Sequence, residues 1–152
     1  MEATQNDLYL QGVQYFREHS YYKAYERLID CPVGRDEFAR SMFSAMGSIF
    51  LHKTQKGEKD LAGEAFRCFE KAYLIVKERQ KAVTDTDNDP AVFYDLAYAY
   101  IEGIGTGKDI GKGVDILRDI DLMLTSAGGS IRDVDDDFGI IRDHYLPVKG
   151  EK

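Results

Sequence analysis

Hydrophobic residues recur at every third or fourth position along most of the chain, and no long run alternates between apolar and polar residues. Six such stretches are separated by segments that contain Gly, Asp or Pro, and they predict six helices. A seventh apolar stripe predicts one further helix at about 130–146; its positions are Ile131, Val134, Phe138, Ile141 and Tyr145. The pattern therefore predicts an all-α protein.

The six helices form pairs that repeat one spacing of small and large residues. The first helices read Leu8-x3-Gly12-x2-Tyr15, Phe43-x3-Gly47-x2-Phe50 and Phe93-x3-Ala97-x2-Tyr100. The second helices read Ala24-x3-Leu28-x2-Cys31, Ala65-x3-Phe69-x2-Ala72 and Gly113-x3-Leu117-x2-Ile120. Small residues let two helix backbones approach, while large residues one turn away fill the remaining space. We predict three helix pairs, at about 5–31, 36–78 and 90–125.

This spacing resembles the tetratricopeptide repeat, and the third pair is similar to its Sel-one-like variant. The third pair carries the pattern in LAYAYIEGIGTGKDIGKGVDIL, from Leu96 to Leu117, with matches at Ala97, Tyr100, Gly103, Gly105, Asp109 and Lys112. Two positions depart from it, since Thr106 replaces an aliphatic residue and Gly113 replaces Ala, which costs the helix about 1 kcal/mol. The resemblance implies a right-handed α-solenoid of three antiparallel pairs plus a C-terminal capping helix, as one domain over residues 1–152.

The charge of the chain argues against several classes of partner. The 152 residues carry a formal net charge of −7, which repels phosphate backbones and anionic membrane surfaces. No local stripe of Lys and Arg offsets that charge, so we expect neither nucleic acid nor a membrane as a partner. The N-terminal residues lack the basic and apolar regions of a secretory signal, and no stretch approaches the ~18 apolar residues of a spanning helix. We therefore predict a cytoplasmic protein.

The two cysteines, Cys31 and Cys68, occupy apolar helical positions. Two reduced thiols in the core explain them better than a disulfide or a metal pair does. His19, His52 and His144 lie in different segments and lack the spacing of a metal-binding helix. The carboxylates are too scattered to nominate a catalytic pair. We predict no catalytic residues, no metal site and no cofactor, and thus a protein that is not an enzyme.

The segment GIGTGKD, which ends at Asp109, has glycines and a lysine like a phosphate-binding loop but not the spacing of one. Three residues instead of four separate Gly103 from Gly107, and Asp109 follows Lys108 where such a loop needs Ser or Thr. An Asp in that place also repels phosphate. The glycines predict a tight turn between two helices, with positive φ angles.

An acidic segment, DTDND from Asp85 to Asp89, resembles the opening of a calcium-binding loop. The sixth position of such a loop is Gly but here is Pro90, and the twelfth is Glu but here is Leu96, which the helical core needs. No cation site is predicted there. The stretch from Thr84 to Pro90 instead predicts a loop between the fourth and fifth helices.

Proteins that resemble this family line a concave face with the first helix of each pair. The positions that remain for this face once the core is assigned are Tyr9, Val13, Arg17, Ser44, Ser48, His52, Tyr94, Asp95, Tyr98 and Glu102. Tyrosines at both ends and serines in the middle would let an extended segment or a helix approach between aromatic rings. In the alternative interpretation, these tyrosines cover their own neighbours. The face lacks a Lys, Arg and Asn cluster, so acidic chaperone tails are not predicted to bind.

These features predict a non-catalytic protein-protein interaction module, an adaptor or scaffold that binds a peptide or helix in a concave groove. One alternative is a small acidic secretion chaperone or toxin-immunity protein dedicated to one basic client, since opposite charges speed encounter. A second alternative is an enzyme whose site lies in the groove. Three repeats lie near the lower limit for a stable array, so a homodimer is also open.

Overall fold

The computed structural model describes residues 4–33, 36–79, 90–126 and 144. This part of the chain contains no strand and six helices: α1 (Gln5–Arg17), α2 (Tyr21–Leu28), α3 (Glu37–Gln55), α4 (Ala62–Arg79), α5 (Pro90–Glu102) and α6 (Ile110–Ser126). The predicted all-α class is confirmed for it. Of the loop predicted from Thr84 to Pro90, only Pro90 lies within the described residues, and there it begins α5. All but residue 144 of the capping helix predicted at 130–146 lies outside the described residues.

The chain divides into two compact units, Met1–Asp87 and Asn88–Lys152. In the first unit, α1 packs against α2 and α3 packs against α4; in the second unit, α5 packs against α6. We call these the first, second and third hairpins. Apolar side chains fill the hairpins; those buried almost completely include Leu28, Phe43, Phe50, Met46, Ile75, Phe93, Leu117 and Ile120.

Polar residues just before three helices explain where those helices begin. The Thr4 hydroxyl accepts a hydrogen bond from the Asp7 backbone N–H at 3.1 Å, and the Asp7 carboxylate accepts one from the Thr4 N–H at 3.1 Å. These bonds form a capping box and lower the pKa of Asp7. Asp36 Oδ1 accepts from the Ala39 N–H at 2.9 Å, and Asp109 Oδ1 accepts from the Lys112 N–H at 3.0 Å. Each contact satisfies an N–H that has no partner inside its helix.

The first helix of each hairpin ends at a residue in the left-handed conformation. These residues are His19, Gly57 and Gly103, with φ of 64°, 75° and 72°. In each case the next residue donates its N–H to a carbonyl five positions back, over 2.8 to 3.0 Å. The positive φ predicted for the GIGTGKD turn is confirmed. The helix α3 continues to Gln55, and Gly57 supplies the reversal that follows it.

Close contact between helix backbones occurs at the small residues of the repeated spacing. A Cβ added to Gly12 would collide with the Leu28 side chain, and one added to Gly47 would lie 2.6 Å from the Phe69 ring. At Gly113 an added Cβ would lie 2.8 Å from the Ala97 carbonyl oxygen and 2.6 Å from Ile101 Cγ1. Gly113, which helix propensity alone marks as a weak point, is therefore required by the packing of α6 on α5.

Substitution of Gly113 tests whether the cost of overpacking at this position exceeds the gain in helix propensity. We expect Gly113→Ala to lower the free energy of unfolding by about 1–3 kcal/mol, because the Ala97 carbonyl belongs to a rigid helix backbone and overpacking outweighs the gain in propensity. Gly111→Ala on the same helix is the control, since the nearest atom to its added Cβ is Asp109 Oδ1 at 3.7 Å. Urea denaturation followed by circular dichroism measures both variants. Equal stability of the two would contradict the contact.

Candidate functional site

Four register positions in the first helix of each hairpin lie outside the core, with the exception of Val13 in α1. Counted from the small packing residue (Gly12, Gly47 or Ala97), they lie six and two residues before it and one and five after it. We call them the open stripe of each helix. The open stripes comprise Asn6, Leu10, Val13 and Arg17 in α1; Ser41, Ala45, Ser48 and His52 in α3; and Ala91, Asp95, Tyr98 and Glu102 in α5. All except Val13, which is 7% exposed, are at least partly accessible.

The open stripe of α5 stands out because the rest of that helix is apolar and buried. Between Ala91 and Glu102, every residue off the open stripe is buried. A helix that is hydrophobic nearly all round belongs to a protein core, so a polar or aromatic residue on its one accessible side needs a separate reason. That side carries Asp95, Tyr98 and Glu102.

The structure places six of the ten predicted face residues on accessible parts of the open stripes: Arg17, Ser48, His52, Asp95, Tyr98 and Glu102. Val13 occupies the same register but is buried. Leu10 was not predicted, although it is 64% exposed and stands where Asp95 stands in α5. An exposed leucine was missed because a helix-spaced apolar residue is more commonly a core residue.

The other three predicted residues, Tyr9, Ser44 and Tyr94, each lie three positions before the small residue. Successive residues of a helix are rotated by about 100° about its axis, so side chains at this position point away from the open stripe. Tyr9 is half-buried, and burial, followed by the nearby charges of Asp36 and Cys31, raises its pKa. The Ser44 hydroxyl is buried, and Tyr94 is only 1% exposed. In this structure, Tyr94 presents no usable area to a partner.

Reactive groups in the described residues do not assemble into a site. No three His, Cys, Asp or Glu side chains in this part of the chain lie close enough to hold a metal ion. Cys31 and Cys68 are both buried and free of a disulfide, and burial raises the pKa of the Cys68 thiol strongly. A thiol held protonated in this way is a poor nucleophile. In the turn between α5 and α6, the Asp109 carboxylate caps α6, which accounts for its position.

None of the helices in the described ranges is long and apolar enough to cross a membrane. No protein-family model matches the chain, and no solved structure matches it. The resemblance to the tetratricopeptide repeat and its Sel-one-like variant thus stays a prediction that rests on the residue spacing.

Two neighbouring tyrosines of α5 offer a direct test of the register. We expect Tyr94→Ala to lower the free energy of unfolding by about 3 kcal/mol, because it empties a buried aromatic site. Tyr98→Ala, one helical turn away, should cost about 1 kcal/mol or less, because its ring is already partly in solvent. Thermal and urea unfolding of the two variants measures the difference. If Tyr98→Ala were the more damaging change, the assignment of the open stripe would be wrong.

Proposed function

We propose that this chain is a helical repeat protein of the tetratricopeptide type that binds another protein through the open stripes of α1, α3 and α5. The observation that carries the proposal is the recurrence of one register of accessible positions in three helices. A repeated arrangement with a repeated accessible face is typical of proteins whose work is recognition.

Recurrent packing supports the repeat interpretation. Gly12 meets Leu28 in the first hairpin as Gly47 meets Phe69 in the second, and in both cases a large side chain of the second helix covers a glycine of the first. Because the same contact is made at the same register, the hairpins act as copies of one unit. Three copies in a right-handed superhelix, closed by a helix at about 130–146, form the architecture that we propose.

The chemistry of the open stripes suits a peptide or a helix of a partner. In the first unit, α1 offers Leu10 and Arg17, while α3 offers small residues beside His52. Small side chains allow a ligand to approach the helix backbone closely. In the second unit, Tyr98 stands on the open stripe together with Asp95 and Glu102. Tyrosine buries a large area at a low entropic cost, and the carboxylates favour a cationic neighbour.

The net charge of −7 favours a basic client over an acidic one. A chaperone or immunity protein dedicated to one basic protein is therefore the second candidate function. A general adaptor would bind several proteins weakly, while a dedicated holder would bind a single protein at a fixed stoichiometry.

Affinity capture from the native lysate tests the proposal when it compares substitutions on and off the open stripes. We expect Ser48→Arg and Tyr98→Ala to reduce the recovery of a stoichiometric partner at least tenfold, since a hot-spot contact carries about 2 kcal/mol or more. Capture is quantified by mass spectrometry with the wild-type chain as the reference.

Matched controls leave the open stripes intact. Gly63→Arg adds the same side chain to α4, where an added Cβ meets no atom within 4 Å, and Leu122→Ala removes an exposed apolar side chain from α6. Both should capture the partner as the wild type does. Failure of the wild type to retain any protein, or equal loss in all four variants, would refute the proposed binding face.

A further inference from the structure

The first hairpin carries a groove that is lined by residues of α1, of α2 and of the turn after α2. Its volume is about 420 Å³, within the range of protein binding sites, and its lining consists of Gln5, Leu8, Gln11, Glu26, Arg27, Asp30 and Cys31. The open stripe of α1 does not contribute to this groove, so it is a different surface from the face proposed above.

The second hairpin has the same groove, and there it is filled. Matching Gly12 and Leu28 to Gly47 and Phe69 assigns each lining residue a counterpart: Arg40, Phe43, Met46, Arg67, Cys68, Lys71 and Ala72. Apart from Arg67 and Lys71, all of these are buried. The residues that bond Arg67 and Lys71 belong to α2 and the turn that follows it. The chain therefore contains an internal example of what this groove binds, which is a helix.

Two cations of α4 hold α2 in the second groove. Lys71 Nζ donates hydrogen bonds to the carbonyl oxygens of Ile29 and Cys31, both at 3.1 Å, so it satisfies carbonyls at the C-terminal end of α2. Arg67 donates to the Asp30 carboxylate at 2.9 Å and to the Tyr25 hydroxyl at 3.1 Å. The second groove thus recognises a helix by its C-terminal carbonyls, by a carboxylate and by a tyrosine.

Aromatic contacts also join α2 to α3 of the second hairpin. The Tyr25 ring meets the Phe50 ring edge to face, with centroids 5.7 Å apart and planes at 89°, and Tyr22 approaches Phe50 at 6.5 Å. In the first hairpin, the counterpart of Phe50 is Tyr15. Its ring has the cations of Lys23 and Arg27 at 5.7 and 5.8 Å from its centroid. An aromatic ring therefore occupies the same register in both hairpins, although Tyr15 is not among the residues that line the first groove.

The two grooves carry opposite charges at the two positions that bond α2 in the second hairpin. Glu26 stands where Arg67 stands in the second hairpin, and Asp30 stands where Lys71 stands. Because Asp30 is itself bonded to Arg67, a helix seated on the first hairpin would meet the Glu26 carboxylate where α2 meets the Arg67 cation. Carboxylates repel the negative end of a helix, so such a helix must bring its own Lys or Arg in its last turn. Opposite charges at these positions would be attractive, as they are between Arg67 and Asp30.

We propose that the groove of the first hairpin binds an amphipathic helix of a partner protein, with apolar residues that pack on Leu8 and a basic residue in its last turn that faces Glu26. The helix occupies the first groove as α2 occupies the second. This inference does not depend on the open stripes, and the two proposals can fail separately.

The groove of the first hairpin has the polar residue Gln11 where the groove of the second hairpin has the apolar residue Met46. Met46 is completely buried in the second groove, while its counterpart Gln11 is exposed and accepts a hydrogen bond of 3.4 Å from Arg27. A polar residue in a groove disfavours indiscriminate apolar association. The groove therefore selects its helix by charge in addition to apolar contact.

A pair of synthetic helical peptides tests the charge rule on the full chain. Both span residues 20–33 with Cys31→Ser and an amidated C-terminus, and one also carries Asp30→Lys. We expect the peptide with the lysine to bind the wild-type chain about two- to fivefold more tightly than the peptide with the native Asp, as measured by fluorescence anisotropy. On the Glu26→Lys chain the order should reverse.

A conservative substitution within the groove supplies a second readout. Gln11→Met makes the first groove like the second, and we expect it to tighten binding of the lysine peptide about fourfold, the equivalent of one newly buried methylene. Gln14→Met on the same helix is the matched control, because Gln14 is exposed outside the groove and should leave the affinity unchanged. The three substituted side chains, Gln11, Gln14 and Glu26, are exposed in the wild type, and circular dichroism verifies the fold of each variant.

Three results would overturn the proposal. One is the absence of binding by either peptide at millimolar concentration. Another is equal binding of both peptides by the wild-type and Glu26→Lys chains, which would show that the binding is nonspecific. The third is dimerisation of the chain in sedimentation equilibrium that Glu26→Lys abolishes, which would assign the groove to a second copy of this chain.

Discussion

The close approach of paired helix backbones determines most of what the structure presents to solvent. Where Gly12 meets Leu28 and Gly47 meets Phe69, a single additional carbon would collide with the side chain of the partner helix. Once these contacts are made, the rotation of each helix about its axis is set, because a helix cannot turn without moving the glycine away from its partner. The open stripes are therefore consequences of packing: they are the positions that this rotation leaves uncovered.

A second constraint acts between the hairpins of the first unit and is polar. The C-terminal end of α2 leaves carbonyl groups without partners, and Lys71 donates to two of them from α4. Tyr25 lies in the same contact, and its pKa is raised by burial even though Arg67, which donates to it, acts in the opposite direction. Apolar contact alone would tolerate sliding of α2, while these directional bonds specify one position along the helix.

Helix positions and turns followed from the sequence, but the accessible register did not. Spacing identified Gly12, Gly47 and Gly113 as contact points, and the turn glycines predicted the reversal after α5. Which residue beside a small one faces solvent required the contacts, since a one-residue error moves a side chain by about 100°. Tyrosine made the error easy at Tyr94, because the same side chain suits a core and a binding face. Leu10 was not predicted to be accessible, because its apolar side chain suggested a core position.

The groove of the first hairpin could not be found from composition or from motifs, because none of its residues is unusual alone. It becomes informative only when each lining residue is compared with its counterpart around α2. Conservation of shape with reversal of charge, as between Arg67 and Glu26, is difficult to attribute to stability: an exposed carboxylate contributes little to folding. A polar end that served only to stop aggregation would need no particular sign of charge. The Glu26 carboxylate, at the position of Arg67, instead distinguishes one class of helix from another, and this selectivity is what a recognition surface requires.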